Sequence, residues 1–300
     1  MNFGIVGAGI VGTAIAIRLK EAGYNLVGVR TRSKSSYERF CRYLQWDERP
    51  IEEWILEADL VFITTQDAMI PVAAKELMDK GLYREGQYWI HCSGSTSSRT
   101  MAADPQVKIN YLSLHPLQAF AGIAEAVELI PGTHFGIEGD GIELGREIVT
   151  KLGGIPHLLN PKQKPLYHGG AVVASNYLVT LAALAVRLFE EAGIEREEAL
   201  ESLLPLMKGS LQNLEKVGLP QALTGPIARG DVNVIQEHLE HMPEELSFVY
   251  RALGKYTLEI GQAKMAQQNS AYSSEILKKM QDVFSEDEVK TPNENKGKEG

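Results

Sequence analysis

Six residues near the amino terminus constrain this chain more than any others. Gly7-Ala8-Gly9-Ile10-Val11-Gly12 follows the apolar run Phe3–Val6 and precedes a segment of helical composition, Thr13–Ala22. A strand that turns sharply into a helix needs glycine at the turn, a second where a ligand approaches the backbone, and a third where helix and strand pack closely. Gly7, Gly9 and Gly12 occupy those places. The first N–H groups of such a helix have no carbonyl partner and the helix dipole is positive there, so the turn suits phosphate. In this strand–turn–helix context the motif predicts a dinucleotide site contacted by Gly7, Ala8, Gly9, Ile10, Val11 and Gly12.

The kind of dinucleotide is read where the second strand ends. A carboxylate there would accept the ribose 2′-hydroxyl of NAD. The segment is Val29-Arg30-Thr31-Arg32-Ser33-Lys34-Ser35, with no carboxylate. Arg30, Thr31, Arg32 and Ser33 suit a 2′-phosphate through charge-assisted contacts, so NADP is expected over NAD; a solvated basic loop is the plainer alternative.

Short apolar runs alternating with helical segments fill the first half of the chain, the pattern of a parallel sheet covered on both faces. The expected strands are Phe3–Val6, Leu26–Val29, Leu60–Thr64, Tyr88–His91, Tyr111–His115, His134–Ile137 and Pro156–Leu159. Thr13–Ala22, Ser36–Leu44, Ile70–Lys80 and Gly141–Leu152 are the expected helices between them. From Lys162 onward apolar residues recur at three-to-four spacing with no β-rich run, predicting helices at Lys164–Ala192, Glu195–Val217, Val232–His241 and Pro243–Gln268. Ala222–Asp231 reads as a Gly/Pro-bearing loop in which Asp231 caps the next helix. The fold expected is α/β: a doubly wound N-terminal Rossmann sheet over 1–160, then an all-α domain over 161–282. Residues 283–300 are too polar to offset the entropy of ordering and read as a disordered tail.

A net charge of −9 argues against nucleic-acid binding, which needs a basic surface. Cys41 and Cys92 have no ligand or disulfide spacing, and His238 and His241 lack a third ligand, so no metal is expected. Met1 leads straight into a strand, unlike a signal peptide, and a cytoplasmic location is expected. Ala171–Leu188 is nearly all apolar or small but contains Ser175, Asn176 and Thr180. It falls short of the roughly 20 apolar residues of a membrane span and reads as a buried core or dimer-interface helix, with a homodimer through the C-terminal helices.

Ligands of open α/β sheets lie beyond the carboxyl ends of the strands. Thr64-Thr65-Gln66-Asp67, His91-Cys92-Ser93-Gly94-Ser95-Thr96 and His115-Pro116-Leu117-Gln118 stand there. Thr64, Thr65 and Gln66 are expected beside the cofactor, and Ser93 and His115 beside its nicotinamide. Ser95 and Thr96 would anchor a substrate carboxylate or hydroxyl, or cap the following helix. His91 reads as a structural residue and Cys92 as a small buried apolar group.

The fingerprint, Val29–Ser33, His91–Ser95, SLHPLQAF (Ser113–Phe120), KPLYHGGAVVASNYLVTL (Lys164–Leu181) and LTGPIARGD (Leu223–Asp231) together resemble Rossmann-like proteins carrying a DUF2520 C-terminal domain. That group is similar to pyrroline-5-carboxylate reductases, ketopantoate reductases and β-hydroxyacid dehydrogenases. The resemblance implies NADP binding, a helical domain that commonly dimerises, and an active-site cleft between the two domains. β-Hydroxyacid dehydrogenases use a Lys-x-x-x-Asn pair; Asn176 matches its asparagine, but Val172 stands where the lysine would be. His168, eight residues before Asn176, shares roughly the same helix face and is the expected replacement as proton donor, with His115 the second candidate. Ser175 would join Asn176 at the substrate, and Arg229 would bind an anionic group of it.

The expected activity is hydride transfer between NADPH and a C=O or C=N group of a small polar metabolite. The alternative is a non-catalytic NADP-binding sensor or scaffold, favoured by the missing lysine; deazaflavin-dependent reduction is a third reading.

Overall fold

The computed structural model describes residues 1–46 and 49–285. The chain divides into two compact units, Met1–Tyr177 and a second beginning at Leu178.

The first unit is a seven-stranded sheet with helices on both faces. Its first half runs β1 (Asn2–Val6), α1 (Ile10–Glu21), β2 (Asn25–Arg30), α2 (Lys34–Leu44), α3 (Ile51–Trp54), β3 (Leu60–Ile63) and α4 (Ile70–Asp79). Then come β4 (Tyr88–His91), β5 (Asn110–Pro116), α5 (Ile123–Leu129), β6 (His134–Gly139), α6 (Ile142–Lys151) and β7 (Ile155–Leu158). The strand order is β2-β1-β3-β4-β5-β6-β7. Alternation along each strand builds a core on each face. Phe3, Ile5, Leu60 and Phe62 pack with Ile15 and Leu19 of α1, while Val6, Val61 and Ile63 pack with Trp54, Leu77 and Trp89.

The expected all-parallel sheet holds everywhere except between β5 and β6, which run antiparallel. The connecting helix α5 has seven residues and spans only about 10 Å.

The long helix α7 (Lys164–Glu191) passes through the division between the units. The second unit continues with α8 (Arg196–Val217), α9 (Pro226–Arg229), α10 (Val232–His241), α11 (Glu244–Gln267) and α12 (Ser274–Ser285). It contains no strand among the described residues, as the three-to-four spacing predicts.

Four expectations are corrected here. One turn of helix, α9, lies within the stretch read as a loop, formed where Pro226 presets φ. Asp231 precedes α10 but makes no side-chain cap; its carboxylate accepts from Arg229 Nε at 2.8 Å. The polar tail starts later than residue 283, because α12 buries Met280, Val283 and Phe284 with Ile235 and Leu258; that short apolar face was masked by the surrounding Lys, Glu and Gln. The rest of the expected tail, 286–300, lies outside the described residues. Finally, α7 is not a core helix in the single chain. Pro161–Glu191 is long and apolar enough to cross a membrane by length and composition, and only 6% of its most apolar window is buried.

Candidate functional site

β1 ends at Val6 and the chain turns at Gly7, whose φ of +101° is accessible to glycine without strain. A Cβ there would also lie 2.9 Å from the Thr65 backbone nitrogen. At Gly9 the reverse holds: a Cβ would meet nothing within 4 Å, so this face of the turn is open. Gly12 backs onto Thr64, whose Oγ1 donates to Gly7 O at 2.6 Å and ties β3 to the turn. α1 begins with no side-chain cap and no carboxylate in its first turn, leaving its leading amides to donate outside the helix. A cavity of about 420 Å³ opens here, walled by Gly7, Ala8 and Gly9, by Arg30, Thr31, Arg32, Ser33 and Ser36, and by Thr64, Thr65, Gln66 and Glu76. Its size is that of a cofactor site, and the uncapped amides, open Gly9 and basic rim fit a dinucleotide phosphate. Ile10 and Val11 pack against the core behind this wall.

The two arginines at the rim differ. Arg30 Nη2 donates to Glu76 Oε1 at 2.7 Å, and Lys80 donates to the same oxygen at 2.9 Å. Arg30, then Lys80, holds the Glu76 carboxyl below its usual range. The strand-end segment has no carboxylate, but the fold supplies one from α4, so the expectation that Arg30 is a free phosphate ligand is corrected. Arg32 is exposed on the cavity wall and has no carboxylate partner among the described residues. Arg39, which the sequence did not single out, reaches Ser36 Oγ at 3.4 Å and Ala8 O at 3.5 Å.

Beyond Gln66, the carboxyl ends of β3, β4 and β5 converge. Asp67 Oδ2 accepts from Ser93 Oγ at 2.7 Å and from Ser95 Oγ at 3.0 Å. Ser93 Oγ in turn accepts the Thr96 N–H at 3.2 Å, and Thr96 Oγ1 lies 3.3 Å from Ser95 Oγ. His115 Nδ1 meets the Tyr167 hydroxyl at 3.1 Å, and its ring lies 6.2 Å from that of His168. Gly94 sits against both rings: a Cβ there would be 2.6 Å from His168 Cδ2 and 2.7 Å from His115 Nε2.

Burial, then the Lys164 and His168 charges, lowers the His115 pKa to about 4, so its ring is neutral at physiological pH. That corrects the expectation of His115 as a proton donor. His91 is fully buried, accepts the Ser93 N–H at Nδ1, and is pushed to about 3 by burial and then by Lys164. Burial raises the Cys92 thiol to about 12, leaving it without thiolate character.

Beneath this surface lies a cluster the sequence did not reveal. Lys164 opens α7, where a cation opposes the helix dipole, yet it is only 1% exposed. Its Nζ donates to Thr96 O at 2.5 Å, to Ser113 Oγ at 2.5 Å and to Glu138 Oε1 at 3.2 Å. Glu138, equally buried, also accepts the Ser98 N–H at 2.5 Å and Ser98 Oγ–H at 3.0 Å. Burial lowers the Lys164 pKa against the opposing pull of Glu138. The pair thus clamps both sides of the loop after β4. A lone acid in the otherwise apolar run His134–Gly139 was the only local signal.

The structure therefore gathers Ser93, Ser95, Thr96, His115 and His168 about Gly94. Ser175 and Asn176 are exposed and hydrogen-bond each other at 3.1 Å. Arg229 belongs to the second unit, where its Nε donates to Asp231 and its side chain is exposed. His238 and His241 pair with the Tyr250 hydroxyl at 2.8 Å and Glu237 O at 2.9 Å.

A doubly wound sheet opening on a glycine turn, followed by an all-helical region, defines the class of Rossmann-like proteins. More particularly, the chain is a Rossmann-like protein with a DUF2520 domain: the Rossmann-like model matches residues 1–116, and DUF2520, a domain of unknown function, matches 133–257. Among solved structures, a Thermotoga maritima protein is similar at 26% identity, with a TM-score of 0.67 over 86% of this chain and 99% of that one. A candidate NADP oxidoreductase from Bacteroides fragilis is similar at 22% identity, with a TM-score of 0.65 over 86% and 97%. A pyrroline-5-carboxylate reductase from Coxiella burnetii shares the fold at 12% identity, with a TM-score of 0.54 over 95% and 96%. Among curated proteins, none matches this sequence.

Proposed function

We propose that this chain is an NADP-dependent oxidoreductase acting on a C=O or C=N group of a small polar metabolite. The observation that carries the reading is the cradle formed at one cavity by the uncapped start of α1, the open face of Gly9 and Arg32, which has no carboxylate partner among the described residues. The amides of that turn would hold the pyrophosphate, while Arg32, Ser33 and Ser36 would hold the 2′-phosphate that distinguishes NADP from NAD. When bound, the cofactor supplies hydride chemistry, and the chain is left to orient substrate, exclude water and manage protons.

Asp67 follows Gln66 of the cavity wall and accepts from Ser93 and Ser95; these three and Thr96 are the residues we assign to substrate orientation. Neutral His115 suits hydrogen bonding to substrate; for a C=O substrate, His168 is the group we assign to protonate the new alkoxide. Mixing protein and NADPH with 2-keto acids, β-keto acids and cyclic imines should consume the nicotinamide absorbance with at least one class. Binding of NADPH without turnover of any class would leave the non-catalytic reading, which the valine at position 172 favours.

We also infer that a second copy covers the apolar side of α7. Leu166 is 79%, Val173 58%, Tyr177 56% and Val179 71% exposed in one chain, and Leu166, Val173 and Tyr177 share one side of the helix, a grouping of exposed apolar side chains that suits an interaction surface.

A further inference from the structure

We propose that the substrate is a cation: a protonated imine, or iminium, without a carboxylate, held against Asp67 and reduced to an amine. The inference rests on the reductase reading above and narrows it to one substrate class.

Proton accounting at the strand ends carries the argument. A carboxylate only accepts hydrogen bonds, so both the Ser93 and Ser95 hydroxyl protons point at Asp67 Oδ2. With the Ser95 proton committed, the contact between Thr96 Oγ1 and Ser95 Oγ is donated by Thr96. Three hydroxyl protons therefore run inward toward one carboxylate, and the site turns lone pairs outward. A carboxylate substrate would find acceptors where it needs donors; an N–H or a cationic carbon–nitrogen group would find partners.

Charge accounting agrees. Asp67 is exposed and, among the described residues, pairs with no cation. The nearby ammonium of Lys164 is buried and already engaged by Glu138, Ser113 and Thr96. The imidazoles of His91 and His115 are uncharged at neutral pH. His168 lies against Gly94 together with His115, and at the hydroxyl cluster itself the Asp67 carboxylate opposes an anion and favours a cation.

The chemistry closes without a protein acid. In a ketone, hydride addition at carbon leaves an alkoxide that must take a proton from the site. In an iminium, the carbon accepts hydride from NADPH, the C=N π pair becomes the nitrogen lone pair, and the products are a neutral amine and NADP⁺. The nitrogen already carries its substituents, so no proton is drawn from the protein. This accounts for a site with valine at the position of the dehydrogenase lysine and a neutral imidazole at position 115.

The test uses the full chain. With NADPH, N-methyl-1-pyrrolinium should be reduced with kcat/KM at least about tenfold above pyruvate and 1-pyrroline-5-carboxylate, the size of one hydrogen bond to a charged group. Its rate should stay flat between about pH 6 and 9, since no proton enters the step. Without cofactor, calorimetry should detect the inert cation N,N-dimethylpyrrolidinium binding more tightly than cyclopentanecarboxylate. Asp67→Asn should weaken the cation about tenfold or more while NADPH affinity is unchanged, and Ser95→Ala should act in the same direction. Preference for the keto acid or imino acid, tighter binding of the anion, or unchanged cation binding by Asp67→Asn would overturn the inference while leaving an NADP reductase. NADPH bound with no turnover of any of these compounds overturns it as well, whereas failure to bind NADPH at all would fell the reductase reading itself.

Discussion

Arg30 and Arg32 stand two residues apart on the same rim and do different work, because among the described residues only Arg30 is held by a carboxylate. Arg32→Ala should weaken NADPH by roughly tenfold, the worth of one charge-assisted contact, and leave NADH unchanged; calorimetry with both nucleotides checks it. An equal loss for both would place Arg32 away from the 2′-phosphate. Gly94→Ala puts a methyl group into both His115 and His168. Steady-state kinetics on an active substrate should show kcat/KM lowered at least about tenfold with NADPH affinity intact, the cost of displacing site groups by about 1 Å. At this scale the sequence was informative where chemistry is local: the glycine turn and the hydroxyls after β4 are visible as strings of neighbours. It was silent where partners meet only in the fold. Glu76 reaches Arg30 from 46 residues away, and Ser113 reaches Lys164 from 51.

Among the elements, α7 shows how a local preference is overridden by tertiary contacts. A lysine in the first turn of a 28-residue helix is unfavourable until Glu138 of β6 is added. Lys164→Met would strand a buried carboxylate and should cost about 3–5 kcal/mol in urea unfolding. Making Glu138→Leu in the same chain should restore a large part of that loss, because two packed apolar groups need no partner. No recovery in the double variant would mean that the pair's other bonds, to Thr96 and Ser98, matter more than its charge balance. Long periodic elements were legible to within a residue or two, as in α8 and α10. Missed features were short or depended on neighbours: the antiparallel turn-back through α5, the single turn of α9, and α12, whose apolar face is narrow.

For the whole molecule, pH and self-association report on the account together. In the unfolded chain the rings of His91 and His115 take up protons near pH 6.5, but in the folded chain only near about 3 and about 4. Between these limits the unfolded state binds more protons, so stability is full above about pH 6.5 and falls as pH drops. The slope reaches up to about 1.4 kcal/mol per pH unit for each ring. Urea midpoints between about pH 7 and 4.5 test the sign; a flat profile would mean that the two imidazoles are not buried neutral. Light scattering should give twice the chain mass at all working concentrations if a second copy covers α7, and a monomer throughout would refute that cover. What the composition could not tell is which surface of so apolar a helix is covered, since apolarity names no partner. The central claim is that the glycine turn and Arg32 receive a phosphorylated dinucleotide. Calorimetric titration of the full chain tests it most directly: NADPH should bind with a Kd at least about tenfold below that of NADH, and well-folded protein that gives no heat with either nucleotide at millimolar concentration would contradict it.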